Sequence, residues 1–366
     1  MKKGLAVIIN PQSLSEFIWY YSTYGYEKEW DALCLTDGVS FEQIIKKCNQ
    51  SGMFSKVLSC EKVYEDDSVA KRIMRFLKML FYACIGKRNI FCNKLIASLV
   101  NINDYDEVSV EGDLKTVTGS FISLAKSGIF NVSIFEDGTI DYLDRKYSNI
   151  KHNRIRFGEV MCFFMAIMGY SNPNGKYPLR TTKNCVKYSS RPEKMIYRDY
   201  KAINQLYDFE KTNKNIFERI ISATYGDVSN LQNGEYDVIL FTTPLSDFDT
   251  DYQKYQKKTV EYLDNNYKSI IVKKHPRDTS QYAFNNSIEI SPDIPYEVLI
   301  PFLKCNSLVF MYPSSVLLNI QNLEELDIVF LYYSELEQNS NKYNSTMFEK
   351  TIELFDIVNP KIVKLE

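Results

Sequence analysis

The chain has 366 residues, 45% of them hydrophobic, enough to bury one large core or, as the pattern below favours, two domains of ordinary size. Its 44 basic residues against 46 acidic ones leave a formal charge of -2, which argues against a general nucleic-acid binder. With 27 Tyr and 22 Phe against only two His, it is aromatic-rich and offers no basis for a histidine-rich metal site.

In chain order, Met1-Lys2-Lys3 runs into Leu5-Ala6-Val7-Ile8-Ile9, predicted as a first strand over 4–9. The run is too short for a signal-peptide core and ends at Asn10-Pro11 without a cleavage pattern, so a cytoplasmic protein is expected. In open α/β sheets the loops at the carboxyl ends of the strands face the ligand. Asn10 and Gln12 therefore become candidates for binding a polar ligand, while Ser13 serves equally as a helix cap. Strands follow at 31–35 and 55–59. From Lys71 to Tyr82, and on to Lys87-Arg88, basic and large apolar residues share a helical register. A core helix with a solvated basic face is the preferred reading, and peripheral attachment to anionic lipid is the second.

The strand at 106–110 ends in Glu111-Gly112-Asp113, which makes Asp113 another candidate at the ligand edge, or again a simple cap. The strand at 130–135 ends in Glu136-Asp137-Gly138. Asp-Gly is a common turn dipeptide, yet a carboxylate held near a partly desolvated cleft is also the right chemistry for a general base. Val160 to Gly169, the most apolar run, is about half of what a bilayer needs and reads as a buried helix. Ser171 to Arg198, with Asn172-Pro173-Asn174-Gly175, breaks the strand-helix rhythm and reads as a linker.

A second series of strands is predicted at 237–242, 268–273, 286–290, 307–311 and 327–332, and from about Met347 a helix is expected at the domain junction, with extended final residues. Ile270-Ile271-Val272-Lys273-Lys274-His275-Pro276-Arg277 is a β-branched run stopped by proline, which delivers a titratable ring to the carboxyl edge of a sheet. Ser307 to Asn319 repeats the pattern: an apolar strand, Tyr312-Pro313, then Ser314-Ser315 before an apolar helical start. There a hydroxyl and the first-turn amides suit a phosphate, although a serine pair before a helix is also an ordinary cap.

Asp104-Tyr105-Asp106 and Asp247-Phe248-Asp249-Thr250-Asp251 have spacing that could hold magnesium or manganese. With 46 acidic residues such spacing arises easily, and both stretches read as loops or caps, so no metal is expected. The eight cysteines form no Cys-x-x-Cys pair and read as reduced and buried. No Gly-x-Gly-x-x-Gly follows the first strand, and there is neither a Walker loop nor a Gly-x-Ser-x-Gly elbow. Dinucleotide oxidoreductase, P-loop kinase and hydrolase chemistries are therefore unsupported.

Taken in order, Glu136-Asp137-Gly138, Lys273-Lys274-His275-Pro276-Arg277 and Ser314-Ser315 resemble the acidic-acidic-Gly, His-Pro and Ser-Ser motifs of bacterial sialyltransferases. The likeness is to glycosyltransferase family 52 and its relatives, which make lipooligosaccharide and capsular polysaccharide. Leu240-Phe241-Thr242-Thr243-Pro244-Leu245 and Ile294-Pro295-Tyr296-Glu297-Val298-Leu299 are similar to further strings of those families. The resemblance spans most of residues 130–320, while the first hundred or so residues share only the strand-helix rhythm.

The resemblance implies an α/β fold of GT-B architecture, two Rossmann-like domains facing each other across a cleft. Residues 1–180 would bind the acceptor and carry the general base, residues 190–346 would bind the CMP-sugar, and 347–366 would pack at the junction. Asp137 would match the base that deprotonates the acceptor hydroxyl, and His275 the group that stabilises or protonates departing CMP. Ser314 and Ser315 would match the phosphate-binding pair, Glu297 the ribose-binding carboxylate, and Lys273 with Pro276 the wall of the cytidine pocket. Asn10, Gln12 and Asp113 are the acceptor candidates. The implied activity is inverting, cofactor-free and metal-independent transfer from CMP-sialic acid to a surface glycan, with terminal galactose the expected acceptor. Two alternatives are kept: the same fold using another CMP-nonulosonate, CMP-Kdo or a UDP-hexose, and a non-catalytic nucleotide-sugar-binding subunit of a capsule assembly complex.

Overall fold

The apolar runs assemble into two wholly parallel sheets, one in each of two units, Met1–Gly226 and Asp227–Glu366. The computed structural model describes residues 3–35, 41–60, 88–111, 116–125, 130–136, 182–195, 200–226, 236–303, 305–320, 326–340, 345–355 and 359–365, with isolated positions between. Asp113, Asp137, Gly138, His152 and Val160 to Gly169 lie outside the described residues, as does most of Lys71 to Lys87.

In the first unit the order is β1 (Lys3–Ile8), α1 (Pro11–Tyr20), β2 (Trp30–Leu35), α2 (Phe41–Gln50), β3 (Phe54–Cys60), α3 (Arg88–Ala97), β4 (Tyr105–Glu111), α4 (Thr116–Ala125), β5 (Asn131–Phe135), β6 (Thr182–Ser189), β7 (Tyr200–Gln205) and α5 (Lys214–Tyr225). The strands lie as β3-β2-β1-β4-β5-β6-β7. β1 and β2 are covered on both faces, which is why Leu5 to Ile8 and Ala32 to Leu35 read as continuous apolar runs instead of alternating ones. Close approach fixes one glycine: a Cβ on Gly4 would sit 2.4 Å from the fully buried Trp30 ring.

The second unit runs β8 (Tyr236–Phe241), α6 (Gln253–Asn266), β9 (Ile270–Lys273), β10 (Ser287–Ile290), β11 (Cys305–Phe310), α7 (Val316–Asn319), β12 (Asp327–Tyr333), α8 (Ser334–Asn339), α9 (Thr346–Phe355) and β13 (Lys361–Leu365). Its strand order is β10-β9-β8-β11-β12-β13. Its centre is aromatic: Phe241 and Phe310, at the ends of the paired strands β8 and β11, stack at 4.7 Å. Tyr255 and Thr259 of α6 pack on this sheet, with the Thr259 and Tyr333 hydroxyls 2.7 Å apart. Two parallel α/β sheets of this kind are the two Rossmann-like domains of the GT-B class.

Every strand expected from the sequence is present, its ends within two residues. Two strands, β6 and β7, were not expected. β6 and β7 lie at or beyond the stretch read as a linker, and they extend the first sheet, so the units divide at Gly226 and not between 180 and 190. The polar letters of β6 conceal it: Cys185 and Lys187 are both fully buried, and Lys187 satisfies its ammonium by donating to the Phe135 carbonyl at 3.0 Å. The terminal segment supplies the expected helix, α9, and its final residues, expected to be extended, form β13, which pairs with β12 and thus belongs to the second sheet. At the basic stretch, Met74, Leu77 and Phe81 are exposed, against the preferred expectation of an apolar face turned inward. Among the described residues no helix is long and apolar enough to cross a membrane.

Candidate functional site

In each unit strand order reverses at one point, between β1 and β4 in the first and between β8 and β11 in the second. Outside the carboxyl ends of such a pair the two crossover connections diverge and leave a crevice, the usual ligand position in open α/β sheets. The carboxyl edge of the second sheet carries six of the residues singled out by sequence, Lys273, His275, Pro276, Glu297, Ser314 and Ser315.

β9, which neighbours β8, is buried along its length and ends at Lys273, 6% exposed, whose ammonium donates to the Lys274 carbonyl at 2.9 Å. The amide of Thr242, just past β8, donates to the Lys273 carbonyl at 3.2 Å, and the His275 amide donates back to the Thr242 hydroxyl at 3.1 Å. The two strand exits are thereby stitched together. Pro276 is exposed, and beyond it the Arg277 amide donates to His275 Nδ1 at 3.1 Å. A nitrogen that accepts carries no proton, so this bond assigns the neutral imidazole with its proton on Nε2. Half-burial pushes the ring's pKa below 6.5, aided by the Arg277 charge, against a smaller opposing pull from Asp278. Lys274 pairs with Glu289 of β10 at 2.9 Å, and Arg277 with Asp247 at 2.8 Å.

Glu297 is carried on a single 3-10 turn, Tyr296–Val298. Tyr296 is buried and meets Phe241 edge-on at 4.7 Å, so the aromatic stack at the end of β8 sets the height of the carboxylate above the sheet. Asn319, 7% exposed at the end of α7, donates to Glu297 Oε1 at 3.0 Å. Desolvation raises the Glu297 pKa above the usual carboxylate range, and the nearby Lys273 charge and the Asn319 amide pull it back.

Ser314 and Ser315 sit between β11 and α7. The Ser314 hydroxyl accepts from the Val316 amide at 3.3 Å, whereas Ser315 is exposed and makes no capping bond. α7 is one turn, too short for the aligned dipole expected of a helix at this point. What the segment presents to an anion is the pair of hydroxyls. Lys273, His275, Pro276, Glu297, Ser314 and Ser315 thus gather on one edge of the second sheet, and Asn319, unmarked by the sequence motifs, ties two of their segments together. Its only sequence signal is a polar residue closing the apolar run Val316-Leu317-Leu318.

On the first sheet, Asn10 is the N-cap of α1 in a reciprocal box with Ser13, and its amide donates to Glu111 Oε1 at 3.1 Å across the β1/β4 reversal. Gln12 donates to the buried Glu16 at 3.0 Å. Both acceptor candidates are therefore engaged by their own domain. Glu136, 2% exposed, accepts from the Ser190 amide at 2.8 Å and from the Ser190 hydroxyl, which binds the end of β5 to the end of β6. Glu136 is spent on that clasp; Asp137, the next residue, lies outside the described residues.

The two Asp-x-Asp stretches have structural partners. Asp104 accepts from Asn101, Asp106 pairs with Lys28, Asp247 with Arg277, and Asp249 accepts from the Tyr255 hydroxyl. Among the described residues no group of three or more His, Cys, Asp or Glu side chains converges as a metal site. The six described cysteines are free thiols.

The profile of Glycosyltransferase family 52 matches residues 39–335. No curated protein sequence matches the chain significantly. Among solved structures, the glycosyltransferase SnogD from Streptomyces nogalater is 12% identical, covering 99% of this chain and 88% of that one at a TM-score of 0.48. MurG from Acinetobacter baumannii is 9% identical, covering 99% and 86% at 0.42. The UDP-N-acetylglucosamine 2-epimerase from Rickettsia bellii is 12% identical, covering 91% and 79% at 0.41. At this level of similarity nothing about reaction or ligand follows for this chain.

Proposed function

The chain belongs to glycosyltransferase family 52, and from that premise we propose that it is an inverting, metal-independent sialyltransferase acting on a bacterial surface glycan. The observation that carries the reading is the edge of the second sheet, where a neutral His275 with its proton on Nε2 shares the β8/β11 reversal with a carboxylate and two hydroxyls. Those groups match a CMP donor. Glu297 accepts from the ribose hydroxyls, Ser314 and Ser315 bond the phosphate, Lys273 and Pro276 line the base, and His275 Nε2–H donates to a phosphate oxygen.

In the proposed reaction Asp137 takes the proton of the acceptor hydroxyl as its oxygen attacks the anomeric carbon. The bond from that carbon to the phosphate oxygen breaks, its electron pair leaves with CMP, and one displacement inverts the centre. A phosphate monoester has a second pKa of about 6, so CMP departs as an anion that hydrogen bonds can stabilise without a metal ion. Asn10, Gln12 and Asp113 remain the proposed acceptor contacts, with terminal galactose the proposed acceptor. The exposed Met74, Leu77 and Phe81, in a stretch rich in Lys and Arg, support peripheral attachment of a cytoplasmic protein to an anionic lipid surface.

The test is CMP release from CMP-sialic acid by purified protein with galactose-terminated acceptors and EDTA, comparing wild type with Asp137→Ala and His275→Ala. Acceptor-dependent release that survives EDTA and is lost in both variants is expected. Turnover of a different nucleotide sugar alone would overturn the donor, and binding without any turnover would favour a non-catalytic subunit.

A further inference from the structure

The loop that follows His275 is held by one buried acid. Asp278 is 6% exposed, and both of its carboxylate oxygens are occupied: Oδ1 accepts from the Ser280 amide at 3.0 Å and Oδ2 from the Tyr282 hydroxyl at 3.0 Å. Its own amide donates to the His275 carbonyl at 2.9 Å, which closes a turn over Pro276 and Arg277. Tyr282 is itself buried, with its ring stacked on Phe284, and its hydroxyl also lies 3.4 Å from the sulfur of Met311, the first residue past β11. The turn is therefore pinned from the loop side and from the strand at the sheet reversal.

What this turn does chemically is aim the Arg277 amide at His275 Nδ1. A proton on Nδ1 would set two N–H donors against each other, so the ring is kept neutral with its proton on Nε2. The charged groups facing it are the cations Arg277 and Lys273 and the anions Asp278 and Asp247. A neutral imidazole that gave up its Nε2 proton would become imidazolate, which is inaccessible near neutral pH, so such a ring donates a hydrogen bond and does not hand over a proton.

We infer that Asp278 is a positioning residue: with Tyr282 it locks the turn that presents the Arg277 amide to His275, holding the imidazole as a fixed Nε2–H donor to the leaving phosphate. The last clause rests on the donor site proposed above, whereas the lock itself does not.

The experiment is nitrogen-15 NMR of the imidazole rings in the whole histidine-labelled protein near neutral pH, without substrate. His152 and His275 are the only histidines, so His275→Gln assigns the signals. In wild type, Nδ1 of His275 should appear as a pyridine-type acceptor and Nε2 as protonated. Asp278→Ala should mix the tautomers, Tyr282→Phe should do so to a lesser degree with the fold intact, and CMP affinity of Asp278→Ala should fall about tenfold, the loss of one aligned hydrogen bond. A proton on Nδ1 in wild type, or one unchanged tautomer in both variants, would overturn the lock. Should Asp278→Ala fail to fold, Tyr282→Phe and Asp278→Asn decide. Mixed tautomers with unaltered CMP binding would uphold the lock and sink the placement of the phosphate at His275.

Discussion

Glu297→Gln separates the cost of the proposed ribose site from its use. The carboxylate is desolvated, and its pKa is raised above 4.5 mainly for that reason. A carboxyl whose folded pKa exceeds its unfolded one contributes stability that is fully present below the unfolded value and is lost as pH rises through the folded value. At neutral pH the wild-type apo protein therefore carries a penalty that glutamine, of the same shape and uncharged, removes, while Asn319 can still donate to the remaining carbonyl oxygen. Melting temperature should rise at neutral pH, and the difference should shrink in mild acid. Binding should move the other way. A hydrogen bond from ribose to a carboxylate contributes about 1.5–3 kcal/mol, so CMP affinity should fall roughly 10- to 100-fold. Isothermal titration with CMP and with 2′,3′-dideoxy-CMP measures both arms: the variant should weaken CMP and leave the dideoxy analogue nearly unaffected. Equal loss for both nucleotides, or none for either, would refute the assignment of Glu297 to ribose.

His275 titrates below 6.5, so turnover measured as kcat/KM should be flat at and above neutrality and fall on acidification, when a second ring proton opposes the Arg277 amide. The same depressed pKa means that its stability contribution is present above 6.5 and declines as pH falls through the folded value. Gly4→Ala should destabilise the first unit by about 1–3 kcal/mol in urea unfolding, because the Trp30 ring has to move to admit a methyl group. Glu136→Ala should cost about 1–3 kcal/mol by leaving the buried Ser190 amide and hydroxyl without their acceptor. An unchanged midpoint would mean that the β5/β6 clasp is not a stabilising element.

Strands whose burial was written in Val, Ile and Leu were legible, as β9 and β11 show; those whose burial was made by partners were not. β6 needs Lys187 inside, and a lysine reads as buried only once the Phe135 carbonyl is known to receive it. Of the residues proposed to hold the donor, Lys273, His275, Pro276, Ser314 and Ser315 could be found because they follow abrupt strand ends marked by Pro276 or Pro313, whereas Glu297, on a 3-10 turn away from any strand end, was found only through the resemblance. Asn319 could not, since its role is set by a hydrogen bond to Glu297 across a sequence gap that no local pattern spans. The serine pair does fall between a strand and a helix, as expected, but the helix behind it is a single turn, because the apolar run after Ser315 breaks at Ile320 into extended backbone. His275 was visible as a residue and hidden as a tautomer, which depends on one backbone amide two positions on.

The central place of β1 in its sheet bears on the order in which the first unit folds. Its partners on one side are near in sequence, Gly4 with Trp30, while on the other side Lys3 pairs with Tyr105. The second loop is about fourfold longer, and closing it costs only about 1.2 kcal/mol more at roughly 0.6 kcal/mol per doubling. The price in time is larger, because non-local parallel pairing is slow. On the ribosome, β1 and β2 can therefore pair early and then wait, with the far edge of β1 an open apolar template until Tyr105 to Glu111 emerges, the interval in which this half of the chain is most exposed to wrong pairing.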